Sequence, residues 1–325
     1  MVHCPYCEST RSLLMGNVFC SRHANADMGA LDNGTLFIRT RKLEETAEHI
    51  SRLSIRLMLN GDQWYKVGST DRRIDTGNFL VVNQGQRYRT AFSGAEELEM
   101  LMVGFRPGQA EDVFRSMTDR GERLLDDPFT AGAPMHFFEQ TYPMDPLIHA
   151  QFRRLRALME APLADRMDAD LYHIHTTLLE RLIRLQFETV EVADRLPQLK
   201  RSTRMEVWRR LNIARDLMEA HFARPLKVPD MAAVAYLSPH HFKRLFTEAF
   251  GTTPHRYLVQ VRLRRAQELL ATGRHSVHDV CMRVGFSDPS SFVRLFKREN
   301  GITPGSQLER SPSPGRRAPR FLGRP

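Results

Sequence analysis

The chain has 325 residues, room for two ordinary domains, and 42% of them are hydrophobic, enough to build cores and to exclude a disordered or fibrous protein. No apolar run approaches the roughly 20 residues that cross a bilayer, and four Cys are too few for a disulfide scaffold. The first twelve residues lack the apolar stretch of a secretory signal, so the expectation is a soluble, cytoplasmic protein without membrane partners. The net charge of +9 is unevenly placed: residues 201–325 carry 23 Lys and Arg against 10 Asp and Glu, while residues 1–200 carry 24 against 28. The entire basic excess lies in the last third, which points to a polyanion partner for that part.

The start of the chain holds Cys4, Cys7, Cys20 and His23, a Cys-x2-Cys-x12-Cys-x2-His pattern with the spacing of a structural zinc knuckle. A zinc- or redox-responsive regulator built on this cluster is the alternative reading; a leader over 1–30 is the plain one.

Residues 36–105 read as short strands: LSIRLML (53–59), QWYKV (63–67), FLVVN (79–83) and LEMLMVGF (98–105). Asn60-Gly61-Asp62, Asp75 to Asn78 and Gln84-Gly85-Gln86 separate them as turns. Such strands predict an antiparallel sandwich or barrel. Trp64, Tyr65, Tyr88 and Phe92 line either its core or a ligand pocket.

From about 146 the apolar period becomes helical. Leu147, Phe152, Leu155 and Leu158 mark one helix that Pro162 closes. A second runs from about Asp168 to Arg195 with the stripe Leu171, Ile174, Leu178, Leu182 and Leu185. That stripe can cover the β core or pair with a second chain, so a homodimer through 168–195 is open. Residues 196–203 read as a linker, and the last domain as helical from 204.

The C-terminal region repeats itself. Phe242, Arg244, Leu245, Phe246, Gly251, Thr253 and Pro254 return 50 positions later as Phe292, Arg294, Leu295, Phe296, Gly301, Thr303 and Pro304. Upstream, Asp230, Leu237 and Ser238 correspond to Asp279, Phe286 and Ser287. Each copy has a short helix, a tight turn, and a second helix entered through Ser238-Pro239 or Asp288-Pro289, a cap followed by Pro at the first helical position. In the second helix Phe242, Leu245, Phe246 and Phe250 share a core face. The other face carries His240, Lys243, Arg244 and Thr247, and in the second copy Ser290, Ser291, Arg294, Lys297 and Arg298. A polar, basic helix face suits a major groove, where Arg reads guanine and short side chains meet thymine.

The segments LSPHHFKRLFTEAFGTTPHRYL (237–258), VRLRRAQELL (261–270) and VGFSDPSSFVRLFKRENGITP (284–304) resemble the DNA-binding domain of the AraC/XylS family of bacterial transcription regulators. That resemblance implies two helix-turn-helix units joined by a linker helix, and makes His240, Lys243 and Arg244 the groove-facing residues of the first unit and Ser290, Ser291, Val293 and Arg294 those of the second; Thr247, Lys297 and Arg298 complete the expected DNA-binding set, the last two toward phosphate. It also implies double-stranded DNA, a small-molecule effector and RNA polymerase as partners, with an activating or dual role. Tyr236 departs from the family, where a small residue is usual in the first turn; a positive φ there costs a Tyr about 1 kcal/mol or more.

Residues 77–92 resemble the family's cupin-like effector domain. The implied fold is a mainly β cupin-like barrel with flanking helices over 31–195, then the helix-turn-helix domain over 204–305 and a disordered basic tail over 306–325. His49 is the one His between 24 and 135, so no cupin metal site can be built. No cofactor and no enzymatic activity are therefore expected.

Overall fold

The computed structural model describes residues 35–40, 48–68, 70–92, 98–119, 134–160, 168–197 and 200–310. It divides into two compact units, with the division at Arg209 and Arg210.

Among the described residues the first unit contains nine strands: β1 (Thr35–Thr40), β2 (His49–Ile50), β3 (Ser54–Asn60), β4 (Gln63–Val67), β5 (Thr70–Ile74), β6 (Asn78–Val82), β7 (Arg87–Phe92), β8 (Leu98–Gly104) and β9 (Thr141–Pro143). Three described helices accompany them: α1 (Gln109–Thr118), α2 (Pro146–Glu160) and α3 (Asp168–Asp194). The strands form two antiparallel sheets, in the orders β1-β8-β3-β6-β9 and β2-β7-β4-β5. This overturns the cupin-like barrel. A barrel closes because its end strands pair with one another. Here β1 and β9 end one sheet, β2 and β5 end the other, and both sheets are open.

Strand composition explains the layers. β3, β6 and β8 are buried at nearly every position, and their sequences are almost continuously apolar. The five-stranded sheet is thus covered on both faces. Ile55, Leu57, Phe79, Val81, Leu101 and Val103 form one core with Phe152 of α2 and Ile174, Leu178 and Leu182 of α3. The alternate residues Met58, Leu80, Val82, Met100 and Met102 form a second core with Tyr65, Val67, Ile74 and Tyr88 of the four-stranded sheet. β4 instead alternates, with Gln63, Tyr65 and Val67 inward and Lys66 outward.

The stripe on α3 therefore covers the β core. On α2 the buried residue of the first turn is Ile148, while Leu147 is 40% exposed. Tyr65 and Tyr88 are interior, and Trp64 lies half-buried on the opposite side of its strand. The Asn83 side chain accepts from Phe137 N at 3.0 Å and donates to Phe137 O at 2.8 Å, pinning the segment that leads to β9.

The second unit is all helix: the remainder of α4 (Arg201–Ala220), then α5 (Val228–Val234), α6 (Pro239–Phe250), α7 (Pro254–Ala271), α8 (Val277–Arg283), α9 (Pro289–Asn300) and α10 (Pro304–Arg310). α4 begins inside the stretch read as a linker. α10 lies where the repeat puts a second copy of the start of α7: Thr253 Oγ1 accepts from Arg256 N at 3.3 Å, and Thr303 Oγ1 from Ser306 N at 3.2 Å. Among the described residues no helix is long and apolar enough to cross a membrane.

Candidate nucleic-acid interface

Each half of the repeat becomes one helix–turn–helix, and the repeated residues are the ones that shape it. Asp230 accepts from Lys227 N at 2.8 Å, and Asp279 from Ser276 N at 3.3 Å, so both first helices start on the same carboxylate cap. Hydrogen bonds from Ser276 hold the Asp279 carboxyl below its ordinary value. The second helices start on Ser238, which accepts from His241 N at 3.4 Å, and on Asp288, which accepts from Ser290 N at 3.0 Å and Ser291 N at 2.9 Å. Bonds from Ser291 and Ser290 depress the Asp288 carboxyl in the same way. Both helices end on a left-handed glycine, Gly251 at φ 67° and Gly301 at φ 74°.

Their inner faces are core. Phe242, Leu245, Phe246, Phe292 and Phe296 are fully buried, and Phe250 is half-buried. α6 exposes His240, Lys243 and Arg244; α9 exposes Ser290, Val293, Arg294, Lys297 and Arg298. Thr247 and Ser291 are half-buried. The Thr247 hydroxyl donates to Lys243 O at 2.7 Å, and Arg294 Nη2 donates to Ser291 Oγ at 3.3 Å. Arg298 lies 3.4 Å from Glu299. All ten predicted contact residues thus lie on the two second helices, five exposed on α9 and three on α6.

The turn between the paired helices holds a surprise. Tyr236 adopts φ 52°, the same left-handed region as its counterpart Gly285 at φ 85°. The first turn takes the same left-handed backbone as the second and accepts the strain. Its ring is 78% exposed, with the Arg210 guanidinium 6.0 Å from its centroid.

Part of the basic excess has a different purpose. Arg262 Nε donates to Phe222 O and its Nη2 to Arg224 O, both at 2.8 Å. Arg264 reaches Glu219 at 2.6 Å, and Arg265, 4% exposed, lies 2.9 Å from Glu268 and 3.8 Å from Glu219. Tyr257 donates to the other oxygen of Glu219 at 2.8 Å, and burial with this carboxylate raises its phenol far above the ordinary value. Arg264 and Arg265 tie α7 to the C-terminal end of α4, and Arg262 ties it to the segment that follows α4. Sequence reasoning left them unassigned, because their partners lie far upstream, Glu219 being 45 residues before Arg264.

Cys4, Cys7, Cys20 and His23 lie outside the described residues, as does the tail from 311. Among the described residues no group of three or more His, Cys, Asp or Glu could hold a metal ion. Cys281 is buried in the second-repeat core, where desolvation raises its thiol.

Two family models match the chain. Residues 231–310 match one described as a helix-turn-helix domain, and residues 45–175 one described as an AraC-like ligand binding domain. Over 96 residues the chain is 41% identical to the HTH-type transcriptional regulator GlxA of Rhizobium meliloti, covering 30% of each protein. Over 95 residues it is 39% identical to the HTH-type transcriptional activator RhaS of Klebsiella pneumoniae, covering 29% of this chain and 34% of that one. A transcriptional regulator with AraC-type DNA-binding domain from Chromobacterium violaceum shares 32% identity over 33% of this chain and 95% of its own, with a TM-score of 0.30. The chain thus spans about a third of the length of the curated relatives it matches. The domains define a helix-turn-helix protein with a ligand-binding domain ahead of it. The chain is thus similar to a helix-turn-helix domain over one stretch and to an AraC-like ligand binding domain over another, and the relatives named are transcriptional regulators.

Proposed function

We propose that this protein is a sequence-specific transcription regulator of the cytoplasm that reads DNA with α6 and α9 and responds to a small-molecule effector through its β domain. The observation that carries the reading is the doubled unit: two capped helices on one domain with Arg244 and Arg294 exposed at corresponding positions. α7 is continuous over 18 residues, about 27 Å of rise. With the widths of the flanking helices added, this suits two successive major grooves roughly 34 Å apart on one face of the duplex. His240, Lys243, Arg244 and Thr247 face one groove, and Ser290, Ser291, Val293 and Arg294 the other; Lys297 and Arg298, near the end of α9, meet phosphate. RNA polymerase is the further partner that the resemblance to AraC/XylS regulators implies, with activation or dual control as the outcome. A homodimer through 168–195 would use the outward side of α3, where Tyr172 and Phe187 are 71% and 48% exposed, because its stripe is committed to the core.

Selection of sites from random DNA by the full chain and by Arg244→Ala and Arg294→Ala tests this. The expected result is two base clusters about 10 base pairs apart, each relaxed by one variant at a cost of about 1–3 kcal/mol. Variants that lose selectivity at the same base pairs, or at none, overturn it.

A further inference from the structure

α6 and α9 are one element in two copies. Each has 12 residues, an oxygen cap before it and a left-handed glycine after it, so every position of α6 has a counterpart 50 residues on. Their outer faces differ most in the last turn. α9 ends there with Lys297 and Arg298, both exposed; α6 has Thr247 and Glu248 at the same places and no cation in that turn. The Thr247 hydroxyl is turned onto Lys243 O, which leaves the Glu248 carboxylate as the charge at this end of the helix. The fold has no use for an acid there. Glu248 is exposed, and among the described residues its carboxylate has no hydrogen bond or ion pair. A carboxylate in the last turn also meets the negative end of the helix dipole, where a cation is the stabilising choice. The cation in reach along the helix is Arg244, four residues earlier, and an acid on the C-terminal side gives such a pair its weaker orientation. Glu248 lies one turn beyond Arg244, on the side away from the buried Phe242, Leu245, Phe246 and Ala249.

We propose that Glu248 faces the DNA backbone at the end of α6 and repels it, so that α6 holds DNA through its base contacts while α9 supplies the sequence-independent hold. The proposal rests on α6 and α9 being the DNA readers, and it adds a division of labour between them. In that reading Arg298 meets phosphate, so a helix docked in the same way sets position 248 against phosphate with the opposite charge. Each cation on phosphate releases counterions and strengthens binding to all sequences; α9 brings two such cations where α6 brings a carboxylate. A carboxylate can also accept from a cytosine amino group. Base edges, however, are met by the N-terminal residues of a recognition helix, and Glu248 is in the last turn. A reader without a backbone hold stays docked only where Arg244 finds its base. The half-site under α6 therefore adds less affinity than the one under α9, and what it adds is sequence reading.

The test measures the affinity of the full chain for one selected and one scrambled duplex at several salt concentrations. Glu248→Gln should tighten both duplexes about threefold at low salt. Glu248→Arg, which gives α6 the residue of α9, should tighten both on the order of tenfold and steepen the salt dependence by about one ion. Both variants should keep the parent's Tm, because the side chain is exposed and unpartnered. Duplexes carrying a single neutral methylphosphonate, moved along each strand, locate the contact. At one backbone position beside the base cluster read by Arg244, neutralisation should tighten the parent and weaken Glu248→Arg. Glu248→Gln binding the selected duplex alone more weakly would assign the carboxylate to a cytosine and overturn the proposal. Unchanged affinities in both variants, or no position where the effect changes sign, overturn it as well. A parent that binds neither duplex overturns the regulator reading and this proposal with it; a parent that binds while both variants match it removes this proposal alone.

Discussion

Tyr236 and Gly285 occupy the same turn in the two helix-turn-helix units and both take a left-handed backbone, at φ 52° and 85°. Their surroundings differ. A Cβ on Gly285 would lie 2.6 Å from Ala223 O and 2.9 Å from Ala223 Cα, backbone atoms that cannot step aside. Tyr236 is exposed, so its side chain has somewhere to go.

Gly285→Ala should accordingly destabilise the C-terminal domain by on the order of 3 kcal/mol, through overpacking and backbone strain together. Tyr236→Gly should be neutral or stabilising by up to about 1 kcal/mol, because relief of the left-handed penalty is partly offset by glycine's entropy. Denaturant titration of both variants checks the contrast; equal effects would show that the turns are not equivalent.

Glu219 holds Arg264, Arg265 and Tyr257 at once. Glu219→Gln keeps the shape and removes the charge, which takes the carboxylate from Arg264 and from the buried Tyr257 hydroxyl, while Arg265 keeps Glu268. A loss of about 3 kcal/mol is expected, as for a broken buried ion pair, and it should persist at high salt because the group is shielded. Arg298→Ala, on an exposed pair, should change stability by less than about 0.5 kcal/mol.

His175 of α3 is buried against Phe105, with Nε2 3.4 Å from Thr35 Oγ1, and desolvation pushes its pKa down to about 4. The folded state thus binds fewer protons than the unfolded chain between pH 6.5 and 4, so stability falls as pH drops through that window. From pH 7 to 5 the loss from this group is about 2 kcal/mol. His175→Met should flatten that part of the stability profile, as followed by urea titrations across the range.

Lys297→Ala should weaken binding to all DNA sequences alike and lower the salt dependence by about one ion, whereas Arg294→Ala should act on sequence. Affinity for one selected and one scrambled duplex at several salt concentrations separates the two behaviours.

The helix-turn-helix domain was legible in the chain because its determinants are local. Caps, left-handed glycines and the phenylalanine face act within one helix and the next turn, and they occur twice. The flanking helices α2 and α3 were legible for the same reason, although one turn of α2 slipped, with Ile148 inward in place of Leu147. The strands richest in apolar residues, β3, β6 and β8, could be read, while β5 (TDRRI) and β7 (RYRTAF) present too many polar side chains to announce themselves.

Only the tertiary structure decided which strands are neighbours. Alternation along a strand says which side chains share a face and nothing about what lies beside the strand, so an open pair of sheets and a closed barrel read alike. The same limit hid the assembly of Arg262, Arg264 and Arg265 against distant partners, and the packing of Arg56 against Tyr65 and Tyr88 between the sheets. Charge in a sequence is a count; whether a given cation faces DNA, a carboxylate or an aromatic ring depends on contacts between residues far apart in the chain.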